Sequence, residues 1–163
     1  MNVRKLAYMS VTIALALILS YVESLLPGLA AVPGVKVGLA NIAVVFALYR
    51  FGIKEAFVVS MVRVLLVSLM FGSVFTLAYS IAGAFASLLV MAILKKTGIF
   101  SVTGISVAGA VVHNLAQVGV ACLILDTTVL KYYIPVLLAT GVAAGAVIGF
   151  VSAVAVKRIE LEK

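Results

Sequence analysis

The stretch VTGISVAGAVVHNLAQVGVACLIL, residues 102–125, contains no Lys, Arg, Asp or Glu and is longer than the roughly 20 apolar residues that a helix needs to cross a bilayer. Its large polar side chains, His113, Asn114 and Gln117, lie near its middle. Polar groups at that depth are costly unless they face a cavity or a neighbouring helix. The stretch therefore predicts a transmembrane helix with one specialised polar region.

The rest of the chain has the same apolar character. Of its 163 residues 66% are hydrophobic and 10% are charged, and the mean hydropathy is +1.36. Soluble domains are about half apolar and about a quarter charged, so this composition indicates an integral membrane protein. The single cysteine, Cys122, excludes an internal disulfide and a cysteine-based metal site.

Six apolar segments are separated by residues typical of turns or by charge. The predicted helices are Leu6–Leu26, Val37–Arg50, Ile53–Met70, Val74–Leu94, Val102–Leu125 and Leu130–Val156. The first follows Arg4 and Lys5 as a signal peptide would, but its length, Glu23 and the lack of a small-residue cleavage site favour a retained helix. We predict an all-α integral membrane protein, a bundle of six transmembrane helices that forms a single domain over residues 1–163.

The basic residues predict the orientation of this bundle. One side would hold Arg4, Lys5, Arg50, Lys54, Lys95, Lys96, Lys157, Arg158 and Lys163. The opposite loops hold only Lys36 and Lys131, and Arg63 lies within a helix. Because cytoplasmic loops collect Lys and Arg, we predict a multi-pass protein of the cell membrane with both termini in the cytoplasm. The net charge of +7 then follows from the basic residues on the cytoplasmic side, where they can contact anionic lipid headgroups. A nucleic acid is not needed to explain this charge, and we do not expect one as a partner.

The embedded polar residues predict a substrate-binding pocket that opens to the outer side. Its candidate residues are Glu23, Lys36, Asn41, Arg63, Tyr79, Ser80, His113, Asn114 and Gln117. Arg63 is the most costly, at roughly 2.5–3.5 kcal/mol for a charge near the centre of a helix. It either pairs with Glu23 or binds an anion through its planar guanidinium, and both hold if a ligand displaces Glu23.

His113, Asn114 and Gln117 fall within about a third of the helix circumference, so we expect them to offer an imidazole and two amides to one neighbour. Each alone is explained by an interhelical hydrogen bond, but three together favour a ligand site. Tyr79 and Ser80 lie at a similar depth and either line the same pocket or pack. The chain has one His and no paired carboxylates at ligand spacing, so we predict neither a metal site nor a cofactor.

The segment Pro27–Lys36 is rich in Gly and Pro and suits a cap over such a pocket. Small residues at four-residue spacing predict close helix contacts. These are Ser10 and Ala14, Ser80 and Ala84, Gly83 and Ser87, and Gly141, Gly145 and Gly149. For Ser10 and Ala14 we also consider a docking surface for another membrane protein.

Several stretches resemble one family of small bacterial membrane proteins. They are Tyr21-Val-Glu-Ser, Pro33-Gly-Val-Lys-Val-Gly-Leu-Ala-Asn-Ile42, Ser80-Ile-Ala-Gly83 and Gly109-Ala-Val-Val-His-Asn-Leu-Ala-Gln117. The resemblance, which covers nearly the whole chain, is to the Gx transporter family, also labelled heptaprenyl diphosphate synthase component I. Its members are similar to the S components of energy-coupling-factor (ECF) transporters, six-helix bundles that capture micronutrients at the outer face. The resemblance implies a membrane coupling protein and two ATPase subunits as partners, docked on the face of Ser10 and Ala14.

The synthase label does not predict an enzyme. Prenyl chain elongation needs clustered aspartates to hold magnesium, and Asp126 is the only Asp in the chain. Phosphate-binding and nucleophile motifs are also absent from the sequence. We therefore expect a non-catalytic subunit that captures a small anionic or amphipathic metabolite for uptake. The alternatives are an accessory subunit in isoprenoid or quinone metabolism and a structural partner in a membrane redox complex.

Overall fold

The computed structural model describes residues 3–25 and 38–159, and within these ranges the chain is helical with no strand. Six α-helices follow one another along the chain. They are α1 (Val3–Ser24), α2 (Asn41–Arg50), α3 (Ile53–Phe71), α4 (Val74–Thr97), α5 (Val102–Ile124) and α6 (Ile134–Arg158), with a 3₁₀ turn at Val129–Tyr133. The helix ends differ from the predicted ones by no more than four residues, which confirms the all-α prediction.

Glycine and serine set several of these ends. Gly52 precedes α3 with φ +116° and Gly98 follows α4 with φ +69°, both in the region where a side chain is strained. Ser73 and Ser101 lie just before α4 and α5, and each side chain accepts a backbone N–H three residues later, at 3.2 and 3.1 Å. Such caps satisfy donors that have no partner within the helix.

In the described part of the chain, four helical segments are long and apolar enough to cross a membrane. They are Val3–Ser24, Val74–Thr97, Val102–Ile124 and the continuous stretch Val129–Arg158. α3 has 19 residues but carries Lys54, Glu55 and Arg63. α2 has only 10 residues, about 15 Å of helix against a bilayer core of about 30 Å, and begins four residues later than predicted. The chain is thus a helical membrane protein, and spanning by α2 and α3 stays a prediction.

The six helices pack side by side in a closed order. Each contacts the next in the sequence α1, α3, α4, α5, α6, α2 and back to α1, and α2 also contacts α3. α5 and α6 approach especially closely, because a Cβ on Gly149 would lie 2.6 Å from the Cα of Thr103 and one on Gly145 would lie 2.7 Å from that of Val107. This contact confirms the close approach that the glycine spacing of α6 predicts.

One end of the bundle carries most of the basic side chains, and we call it the basic end. There the ammonium of Lys5 pairs with the carboxylate of Glu55, which joins the first turns of α1 and α3. The Lys95 ammonium donates to the carbonyl oxygen of Leu48 at 2.6 Å and lies 4.8 Å from the centre of the Tyr49 ring. These contacts place the starts of α1 and α3 and the ends of α2 and α4 together, as the predicted up-and-down topology requires.

The apolar core lies beside the basic end. It is a cluster of buried residues from the adjoining parts of α2, α3, α4 and α5: Val44, Val45, Ala47, Leu48, Ala56, Val59, Leu88, Met91, Ala92 and Ile105. The polar candidates lie farther from this end. The structure therefore separates a packed apolar half from a half that contains the polar candidates.

Candidate functional site

The last turn of α1 is tied to the residues that lead into α2. One carboxylate oxygen of Glu23 accepts the backbone N–H of Gly38 at 2.6 Å. Gly38 has φ +75°, and its carbonyl accepts the N–H of Asn41 at 2.8 Å, so Asn41 begins α2 beside this contact. A Cβ on Gly38 would lie 3.2 Å from the amide nitrogen of the Asn41 side chain. Glu23 and Asn41 are therefore brought together through Gly38, a residue that sequence analysis did not single out.

Arg63 lies on α3 and interacts electrostatically with Glu23. Its Nε atom is buried and has no hydrogen-bond partner in the described part of the chain. A buried donor without an acceptor carries a desolvation cost that a bound group can remove. The charges of Glu23 and Arg63 thus attract each other, but a direct ion pair between them stays a prediction, and one oxygen of Glu23 is bound to the backbone of Gly38.

Asn41, Arg63 and His113 lie at similar depths in the bundle. Each distance is counted from the helix end that lies toward the basic end. Asn41 is nine residues before the end of α2, Arg63 is ten residues after the start of α3, and His113 is eleven residues after the start of α5. At 1.5 Å per residue these separations are about 14–17 Å, close to half the thickness of a bilayer core. These residues therefore lie at one level of the bundle, and a mid-membrane pocket there stays a prediction.

The polar residues of α5 contact two neighbours instead of one. A Cβ on Gly83 of α4 would lie 2.8 Å from the Gln117 side chain and 3.1 Å from the His113 ring. The Asn114 amide instead donates to the carbonyl oxygen of Leu137 on α6 at 2.9 Å. The expectation of a single neighbour is wrong because successive residues turn by about 100° around a helix, which is enough to reach from α4 to α6.

Tyr79 and Ser80 are both half-buried on α4. The Tyr79 hydroxyl donates to Thr76 Oγ1 at 3.1 Å, and Thr76 in turn lies 3.1 Å from the Ser73 hydroxyl. These groups form a short hydroxyl chain at the start of α4. Thr76 and Gly83 were not predicted as site residues, although Gly83 belongs to a small-residue pair that marks a close contact.

The remaining candidates lie elsewhere. Ser10 and Ala14 are exposed on α1, while Thr12 and Ala16 of the same helix are buried, so the predicted docking face points away from the bundle. Lys36 and the predicted cap Pro27–Lys36 lie outside the described residues. Among the residues that the structure does describe, no group of three or more His, Cys, Asp or Glu side chains is arranged to hold a metal ion.

Comparison with known proteins identifies one family. The model of the family described as heptaprenyl diphosphate synthase component I matches residues 12–155, which is most of the chain and includes every described candidate of the site except Ser10. Neither the curated proteins nor the solved structures contain a match.

Proposed function

The chain belongs to the heptaprenyl diphosphate synthase component I family, and we propose that it is a non-catalytic membrane subunit that binds a small anionic or amphipathic metabolite between its helices. In this proposal it is an S-component-like subunit of six spanning helices that takes its ligand from the outer face and works with an ECF-type ATP-driven module. The carrying observation is the buried Nε of Arg63, which has no hydrogen-bond partner among the described residues and whose charge is attracted by that of Glu23.

An anion suits this position because a guanidinium has five N–H donors in a fixed planar fork. Glu23 supplies negative charge, but one of its oxygens already accepts the N–H of Gly38. A bound carboxylate or phosphate would supply acceptors directly to Arg63 and offset the cost of a charge at this depth. Arg63 is therefore the proposed anion-binding residue.

The neighbouring polar groups would orient the ligand. Asn41 lies beside the Glu23–Gly38 contact, and His113 and Gln117 lie together against Gly83 on α4, the helix next to α3. Amide and imidazole groups at fixed positions provide directional hydrogen bonds in an otherwise apolar pocket. Lys36 and the cap Pro27–Lys36 stay predicted contributions to this site.

The decisive experiment identifies the ligand and then removes Arg63. Native mass spectrometry of the protein purified in detergent should reveal a bound small molecule, whose affinity is then measured directly. We expect Arg63→Ala to weaken that affinity about ten- to a hundredfold, since a charge-assisted hydrogen bond contributes roughly 1.5–3 kcal/mol. Arg63→Lys should have a smaller effect, and Arg158→Ala, on an exposed residue of the basic end, should have none.

A purely structural role for Arg63 makes a different prediction. In that case, Arg63→Ala lowers the thermal stability, and adding Glu23→Ala restores it. The double variant also binds the ligand with normal affinity, because Arg63 only balances the charge of Glu23. That combination of results would remove Arg63 from the binding site.

Docking to a coupling protein is the second part of the proposal. Ser10 and Ala14 are exposed and four residues apart, so another helix can approach closely there. Replacing both by Leu should weaken co-purification with an ECF coupling protein and leave ligand binding intact. Ala143→Leu, at an exposed position of α6, is the matched control. Unchanged co-purification of the Ser10 and Ala14 variant would argue against this surface.

The family description favours a second candidate, an accessory subunit of a prenyl diphosphate synthase, because a component I implies another component. The same affinity purification separates the two. Recovery of a soluble prenyl synthase instead of a coupling protein and ATPases would support the accessory role.

A further inference from the structure

A groove lies at the end of the bundle opposite the basic end, away from the proposed Arg63 pocket. It is formed by the second half of α5, the connection to α6 and the first residue of α6, and its volume is about 450 Å³. Small-molecule sites typically have volumes of roughly 300–1,000 Å³. The groove is therefore large enough for a ligand or a substantial part of one.

One wall of the groove is apolar and faces outward. Leu115, Gly119 and Leu123 line it at four-residue spacing and are all exposed. They span about 12 Å along α5, most of the roughly 15 Å that one leaflet contributes to the bilayer core. This face is distinct from those on which Gln117 meets α4 and Asn114 meets α6. Its length and direction suit an acyl chain that lies along the helix.

The other end of the groove is polar and carries both charges. Asp126, Thr127 and Lys131 line it where the chain leaves α5. Asp126 has φ +46°, a conformation that Asp and Asn adopt more readily than most residues. A carboxylate and an ammonium thus share one small site at the predicted membrane surface, and together their formal charge is zero.

We propose that this groove binds a zwitterionic phospholipid. Its phosphate would interact with Lys131 and the hydroxyl of Thr127, its ammonium would interact with Asp126, and one acyl chain would lie against Leu115, Gly119 and Leu123. An anionic headgroup would use Lys131 but would be repelled by Asp126, and an uncharged headgroup would use neither charge. Charge complementarity therefore selects the zwitterion.

The headgroup assignment is tested by native mass spectrometry with three lipids of identical acyl chains: phosphatidylethanolamine, phosphatidylglycerol and diacylglycerol. We expect the unmodified protein to bind phosphatidylethanolamine most tightly. Asp126→Asn keeps the backbone conformation and should reduce the preference for phosphatidylethanolamine over phosphatidylglycerol by about twofold to fivefold, the effect expected of an exposed ion pair. Equal or tighter binding of phosphatidylglycerol by the unmodified protein would overturn the proposal.

The acyl-chain assignment is tested by filling the groove. A Cβ on Gly119 would have no heavy atom within 4 Å, so Gly119→Leu places a side chain in the groove without a clash at its Cβ. This variant should lose retained phosphatidylethanolamine at unchanged thermal stability. Gly104→Leu, near the other end of α5 and outside the groove, is the matched control. If the Gly119→Leu variant still binds phosphatidylethanolamine, the proposal is contradicted. If that variant does not fold, Asp126→Asn still tests the proposal.

Discussion

The half of the bundle beside the basic end and the half that holds the polar candidates are stabilised differently. In the first, apolar side chains from four helices form one buried cluster that includes Leu48 and Ile105. In the second, the contacts are individual hydrogen bonds: Glu23 accepts one from the backbone N–H of Gly38, and Asn114 donates one to the carbonyl oxygen of Leu137. The Nε of Arg63 has no partner among the residues described. Under the proposed function, the polar half would bind the ligand and the apolar half would stabilise the fold.

The membrane gives this division an energetic basis. Lipid tails are as apolar as a leucine side chain, so helices associate in a bilayer through close packing and hydrogen bonds and gain little from the exclusion of water. Variants in the apolar half should therefore lower stability and leave ligand affinity unchanged. Variants of Arg63, His113 and Gln117 in the polar half should change ligand affinity more than stability.

The largest expected effect on stability is that of Leu48→Ala. Leu48 is 1% exposed and belongs to the buried cluster, so its truncation leaves a cavity. We expect the free energy of unfolding to fall by about 2–3 kcal/mol. This is near the lower end of the range for buried leucines, because burial against other helices in a membrane gains little from the exclusion of water. Unfolding in detergent measures it, with Leu89→Ala, at an exposed position of α4, as control. Equal losses in the two variants would remove the distinction between the packed cluster and the lipid-facing surface.

The next effect is that of Gly149→Ala at the contact between α5 and α6. The added Cβ would lie 2.6 Å from the Cα of Thr103, a backbone atom that cannot move without displacing its helix. Overpacking of this kind costs about 1–3 kcal/mol. Gly119→Ala, where the added atom meets open space, should have almost no effect on thermal stability in detergent. A stable Gly149→Ala variant would mean that the two helices can separate at little cost.

A smaller effect is expected for Asn114→Ala, which removes the hydrogen bond to the carbonyl oxygen of Leu137. Interhelical polar contacts in membranes contribute about 0.6–1.7 kcal/mol. If Asn114 only joins α5 to α6, stability falls by that amount and ligand affinity stays normal, whereas His113→Ala and Gln117→Ala change affinity. A larger loss of affinity for Asn114→Ala than for either of the others would show that Asn114 belongs to the ligand site.

The sequence predicted the helices because hydropathy and turn residues act locally. The start of α2 was missed by four residues, since Val37, Gly38 and their neighbours continue the apolar pattern although Gly38 has a positive φ and takes part in a turn. The pairing of Arg63 with Glu23 stays a prediction, which rests on the rule that an embedded charge requires a counter-charge.

The distribution of contacts within the site was harder to predict. The separation of Asn114 from His113 depends on which helices flank α5, and no pattern within the α5 sequence specifies its neighbours. Likewise, almost every residue has a backbone N–H, so the residue type of Gly38 does not reveal that its N–H donates to Glu23. Residues that contact a side chain through their backbone are therefore the ones that sequence patterns miss.

The smallest effect tests the basic end, where the packed half meets water. The Lys5–Glu55 pair joins α1 to α3, and its side chains are 38% and 20% exposed, so solvent and salt weaken the attraction. A double-mutant cycle with Lys5→Gln and Glu55→Gln should give a coupling of about 0.2–1 kcal/mol that decreases as salt is added. Neither variant should alter ligand affinity, because the pair lies at the opposite end of α1 from Glu23. A change in ligand affinity without a change in stability would show that the apolar half also controls the pocket, and the functional division between the two halves would then be wrong.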